Sequence, residues 1–99
     1  MSEINQKEDA PVMLTYNGKP LVRKGDIICF GDAKNDKYVL TLNIREKKSE
    51  NGFDVASNVL ILIQSTDVNS KEIVKFGEKE TLYDAFEIGE IWLESFLKQ

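Results

Sequence analysis

The sequence predicts an α+β domain: an antiparallel meander sheet of about five or six strands with one C-terminal α-helix packed on it. Three observations lead there. Short apolar runs alternate with turn signals from Met13 to Phe76, with no helical segment between them. Two Asn-Gly pairs, Asn17-Gly18 and Asn51-Gly52, sit between such runs. The apolar spacing then takes a helical period only after Gly77. Strands joined by tight turns rather than crossover helices run antiparallel to their neighbours. A barrel-like curl of the same sheet is the structural alternative.

Residues 1–11 are polar, carry no apolar period and end in a proline, which predicts a loosely attached or disordered tail ahead of a single domain over 12–99. Met13 to Tyr16 and Lys19 to Arg23 flank Asn17-Gly18, the pair best suited to the two positive φ angles of a type I′ hairpin turn. Pro20 has no N–H to give to a ladder, so this hairpin is expected at a sheet edge. Lys24-Gly25-Asp26 reverses the chain into Asp26 to Phe30, and residues 31–36 form a polar loop. From Lys37 to Lys48 the alternation is clear: Tyr38, Leu40, Leu42 and Ile44 point one way, and Val39, Thr41, Asn43 and Arg45 the other. Asn51-Gly52 leads into Phe53 to Thr66. There the run Val59-Leu60-Ile61-Leu62-Ile63 is apolar on both faces and predicts a central strand covered on each side; the helix can cover only one, so either the sheet curls over itself or its second face meets another subunit. Glu72 to Phe76 is the last strand.

Residues 81–98 read as one amphipathic helix with Thr81 as N-cap and Asp84 as an approximate capping-box partner. At about 100° per residue, Leu82, Phe86, Gly89, Leu93, Phe96 and Leu97 share the face that packs on the sheet, with Ala85 and Trp92 at its margin. Gly89 costs about 1 kcal/mol relative to alanine inside a helix, which points to a close backbone approach to a strand. Ile91 lies opposite Leu82, and Ile88 lies between Ile91 and Trp92. These three make a second apolar strip, bordered by Asp84, Glu87 and Glu94.

Composition bounds function more firmly than any motif. The 99 residues carry a net charge of −4, with 41% apolar and 30% charged residues. Six acids against two lysines from Glu78 onward hold that whole imbalance. An acidic chain of pI near 4.8 argues against direct nucleic-acid binding, which draws most of its affinity from a basic face. There is no histidine and one cysteine, Cys29. That removes Ser-His and Cys-His nucleophile activation and the usual zinc ligand sets. Cys29, in the run Ile27-Ile28-Cys29-Phe30, is expected to be a buried, inert thiol. No apolar stretch is long enough to span a bilayer as a helix, and the first residues lack the pattern of a secretory signal, so the expected location is cytoplasmic.

Other clusters read more simply as structure. Arg45, Lys47 and Lys48 near Lys37 are interleaved with Glu46 and Glu50 and suit ordinary surface charge. Tyr16, Tyr38, Phe53 and Phe76 suit core packing better than base stacking. Asp32, Asn35 and Asp36 share a loop, but Lys34 interrupts the D-x-[DN]-x-[DN]-G spacing of a calcium site, which favours a turn. No glycine-rich phosphate or dinucleotide signature is present, and neither a catalytic residue, a cofactor nor a metal is expected. The residues singled out are therefore Ile88, Ile91 and Trp92 with their rim of Asp84, Glu87 and Glu94, as a protein contact surface.

The order Asn17-Gly18-Lys19-Pro20-Leu21-Val22-Arg23, Gly31-Asp32, Asp36-Lys37-Tyr38-Val39, Asp54-Val55-Ala56, Ser65-Thr66-Asp67, Leu82-Tyr83-Asp84-Ala85 and Ile88-Gly89-Glu90-Ile91-Trp92-Leu93-Glu94 resembles a family of short uncharacterised proteins of Firmicutes-type bacteria. The resemblance covers residues 13–97 and implies a bacterial, cytosolic, single-domain protein. It implies no activity and carries over no site residues. The expected function is a non-enzymatic protein-interaction or regulatory module that self-associates. Two other readings stay open: an acidic inhibitor or adaptor engaging a basic, nucleic-acid-binding protein through its helix, and a small-ligand-binding module.

Overall fold

The computed structural model describes residues 12–99, so the expected tail lies outside the described residues. Six strands, β1 (Val12–Tyr16), β2 (Lys19–Lys24), β3 (Ile27–Phe30), β4 (Tyr38–Glu50), β5 (Phe53–Ser65) and β6 (Ile73–Lys79), precede one helix, α1 (Leu82–Leu97). The strands form a single open antiparallel sheet in sequence order, so the chain is an α+β meander and the sheet does not close into a barrel.

Both Asn-Gly turns do what their chemistry permits. Asn17 and Gly18 have φ of 51° and 79°, and Asn51 and Gly52 have 54° and 83°. Two successive positive φ values define the type I′ hairpin and match the right-handed twist of the flanking strands. The first turn sets the β1–β2 register, with Tyr16 opposite Lys19 and Met13 opposite Val22. The second sets β4 against β5, with Glu50 opposite Phe53.

Period-two alternation then sorts the sheet into faces. Ile28 and Phe30 of β3, Leu40, Leu42 and Ile44 of β4, and Val59, Ile61 and Ile63 of β5 are buried on the side that receives α1. Ala85, Gly89 and Leu93 are the buried residues of the helix. The helix lies over β4, β5 and β6. Burying one such aliphatic side chain is worth about 1.5–3 kcal/mol, so this single layer carries most of the folding drive. Gly89 permits the approach: a methyl group there would stand 2.7 Å from Leu40 Cδ1 and 3.3 Å from Ile61 Cγ2. Thr81 caps the helix, its Oγ1 accepting from the Asp84 N–H at 3.1 Å. No helix among the described residues is long and apolar enough to cross a membrane.

β4 and β5 outrun their neighbours. β3 pairs with β4 only over Leu40 to Asn43, and β6 pairs with β5 from Val59 to Gln64. Beyond these the two long strands continue as a two-stranded arm, with an irregularity between Ile44 and Lys47 that bends it.

Three expectations are corrected. β5 is the fifth strand of six and is covered by the helix on one face only; among the described residues no helix or strand lies on its Leu60 and Leu62 side, where the Arg45 side chain reaches across from β4 to Glu78 of β6. Cys29 is exposed, because alternation puts it on the face away from α1 while Ile28 and Phe30 take the core. Phe53 and Phe76 are 72% and 71% exposed rather than core. Phe53 stands at the tip of the arm, and Phe76 faces away from the helix.

Candidate interaction surface

The helix strip singled out in the sequence is divided by the fold. Ile88 and Trp92 are half-buried and pack against the core layer. Trp92 leans over β6, where Gly77 makes room; a methyl on Gly77 would come within 2.8 Å of the indole. The Lys75 ammonium sits 4.7 Å from the ring centroid, a cation–π contact that helps fix the indole. Ile91, opposite the sheet, remains 57% exposed. Asp84, Glu87 and Glu94 are exposed, and none of them forms an ion pair among the described residues. Glu90 is different: it accepts from the Asn17 side chain at 2.9 Å and pins the first hairpin to the helix. The outer helix surface is thus Ile91 and, two turns before it, the 74% exposed Tyr83, within an acidic field.

The larger apolar surface lies on the other side of the molecule. The pairing registers bring Met13, Val22, Cys29, Thr41, Leu62 and Phe76 into one row that crosses all six strands. A second row runs Lys24, Ile27, Asn43, Leu60 and Glu78. A third includes Pro20, Val39, Gln64 and Ile73, with Gly31 between the first two through its hydrogen bond to the Pro20 carbonyl. Met13 is 73% exposed and Ile73 is 50% exposed. The polar residues in the middle of this face are Thr41 and Gln64, which hydrogen-bond to each other at 3.0 Å, and Asn43. A sheet face meant for water alternates apolar-in with polar-out. This one is apolar on its outside as well.

Two concavities flank the helix start. A cleft of about 650 Å3 lies between the bent arm and the N-terminus of α1, lined among others by Arg23, Lys47, Lys48, Glu50, Asp54 and Glu80. It is large enough for a small ligand, but all six of those charged groups are exposed, so none is desolvated in the way that tunes an active-site group. A smaller apolar hollow of about 270 Å3 lies between β1–β2 and the helix, with Leu14, Leu21, Leu82 and Phe86 in its wall.

The remaining clusters have structural partners. Arg45 pairs with Glu78 at 3.1 Å and Lys47 with Asp26 at 2.8 Å, so the basic residues of β4 are spent in exposed ion pairs. In the 31–36 loop, Asp32 accepts from the Asn35 side chain and from the Lys34 and Asn35 N–H groups, closing an Asx turn. The Asn35 side-chain hydrogen bond, followed by the Lys34 N–H, holds the Asp32 carboxyl below its ordinary pKa. Among the described residues no group of three His, Cys, Asp or Glu side chains is placed to hold a metal.

Sequence reasoning identified the double-sided apolar character of β5, and hence a second face left by the helix, but not the residues that build this surface, because the cross-strand rows depend on pairing registers that a single strand does not display. The chain matches no protein-family model, no curated protein and no solved structure.

Proposed function

We propose that this protein is a non-enzymatic interaction module that self-associates. The observation that carries the reading is the uncovered sheet face, where Val22, Leu60, Leu62 and Phe76 lie outward with no element over them among the described residues. Contiguous apolar surface on a protein domain is a recurrent mark of a contact site. The lack of any histidine and the water-exposed charges of the larger cleft support a binding role over catalysis. The test is mass in solution by sedimentation equilibrium across a hundredfold range of concentration. The mass should rise from 11.3 kDa toward a multiple of it; a single-chain mass at the highest concentration would remove self-association.

A second reading rests on the exposed, unpaired Asp84, Glu87 and Glu94, which suit a basic protein partner. Its affinity would fall steeply with salt and with charge reversal at these positions. In keeping with the resemblance noted above, we further propose a bacterial cytoplasmic setting, which fractionation of the source cells would test.

A further inference from the structure

We propose that a second copy of this chain docks on the uncovered sheet face, sheet against sheet, about a two-fold axis running along β4. This rests on the self-association reading and adds the surface and the arrangement. Neighbouring strands stand about 4.8 Å apart and rows on one face about 6.6 Å apart along the strands, so β2–β6 over three rows offer a footprint on the order of 500 Å2. Two such footprints come to about 1,000 Å2, the lower bound for a specific interface. The outer helix surface, with only Ile91 and Tyr83 exposed among its acids, falls well short of that.

A second copy is the occupant that the face itself describes. In a two-fold contact the same patch must be its own complement. An axis along β4 lays β2 of one copy over β6 of the other. Lys24 of one copy then meets Glu78 of the other, twice, while Val22 meets Phe76 and Cys29 meets Leu62. Thr41, Asn43 and, one step further, Arg45 fall on the axis, and each Arg45 is already paired with Glu78 of its own chain at 3.1 Å, so that Glu78 stands between its own Arg45 and the other copy's Lys24. Asn43 meets its own equivalent, and an amide can both donate and accept. Thr41 brings no unsatisfied group, because Gln64 already takes its hydroxyl proton. An axis across the strands through the middle row would instead lay each strand on itself reversed, setting Lys24 over the Pro20 row and Glu78 over the Ile73 row, with no charge pair across the contact. Unlike charges select the axis along β4, and packed sheets about 10 Å apart leave room for both side-chain layers.

Cys29, the only cysteine, lies in the middle row of the face and is a built-in probe. Its labelling by a thiol reagent should slow about tenfold as the mass rises from one chain to two, with Thr41→Lys abolishing both changes while leaving the circular dichroism unaltered. The axis is tested by charge. K24E alone and E78K alone should each weaken self-association about tenfold, and an equimolar mixture should restore it, since every contact across the mixed dimer then joins unlike charges. An assembly in which Cys29 labels at the same rate at every concentration overturns this interface and leaves self-association standing. A mixture no tighter than either variant alone overturns the axis. Constant single-chain mass overturns both this inference and the reading beneath it, and a protected Cys29 in such a monomer would mean that another part of the same chain covers the face.

Discussion

Gly89→Ala should destabilise the domain although the same change raises stability in most helices. In an exposed helix interior, alanine in place of glycine stabilises by about 1 kcal/mol through backbone entropy. At position 89 the added methyl meets Leu40 Cδ1 at 2.7 Å, Leu40 Cδ2 at 3.0 Å and Ile61 Cγ2 at 3.3 Å. Carbon atoms at rest lie about 3.5–4.0 Å apart, so either the helix lifts or Leu40 turns. Leu40 and Ile61 are both completely buried, and a close-packed interior offers no empty rotamer. Overpacking of this kind costs about 1–3 kcal/mol. Set against the helix gain, the net loss is about 1 kcal/mol, which lowers the melting temperature by about 4–8 °C for a domain of this size. Ser95→Ala, at an exposed position on the same helix, is the control and should raise it slightly. A thermal melt followed by far-ultraviolet circular dichroism reads both. A double-mutant cycle with Leu40→Ala locates the cause, with a coupling of about 1 kcal/mol expected if the two side chains collide. A Gly89→Ala melt at or above that of Ser95→Ala would refute the close-approach argument.

Leu93→Ala removes a buried helix side chain from the core layer between helix and sheet and should cost about 2–5 kcal/mol, measured by urea unfolding with an unchanged slope. Gly52→Ala places a side chain at φ +83° with open space around it, so the cost of about 1–2 kcal/mol should come from the backbone alone and appear in the same assay. Asp32 has a lowered folded-state pKa, so its contribution to stability is present above its ordinary value of 3.8 and is lost as pH falls through the lower folded value. Asn35→Ala should move the carboxyl titration back toward the ordinary value, as read by carbon-detected NMR. Ile91→Asp should leave the unfolding free energy within about 0.5 kcal/mol of the parent, because the side chain faces water. A large loss would place Ile91 in the core after all.

The sequence displayed local geometry far better than it displayed contacts between strands. Asn17-Gly18 and Asn51-Gly52 announce their turns because positive φ at two successive residues has few alternatives. The alternation of Leu40, Leu42 and Ile44 names a buried face without reference to any neighbour, and Thr81 caps its helix by a bond to a residue three positions on. Gly89 was also legible, as an unfavourable residue that needed a reason. Trp92 and Ile88 were not. Seen around the helix axis alone they extend an outer strip, but β6 reaches out beneath them, and Gly77 with Lys75 receives the indole. Nothing in the helix reveals how far the sheet extends sideways. The same limit explains Phe76, whose aromatic character suggested core while its register with Leu62 turned it outward.

The helix and the sheet differ in what their exposed apolar groups can do. A helix shows about 100° of its surface to any flat partner, so α1, having used its broad face on β4–β6, keeps Ile91, Tyr83 and the acidic residues for a second contact. A sheet has two equal faces, and covering one leaves the other whole. Leu60 and Leu62 are therefore as well placed for a partner as Ile61 and Ile63 are for the helix, and they arrive in rows because registry aligns them with Val22 and Phe76. Charge follows the same division. The acids of α1 surround a surface too small to hold a partner by apolar contact, and there they favour solubility or a basic partner. On the sheet the charged groups Lys24 and Glu78 stand at opposite margins of an apolar field, the position in which charge sets orientation and not strength. With one helix and six strands among the described residues, the sheet face away from the helix is the surface that association has the most reason to use.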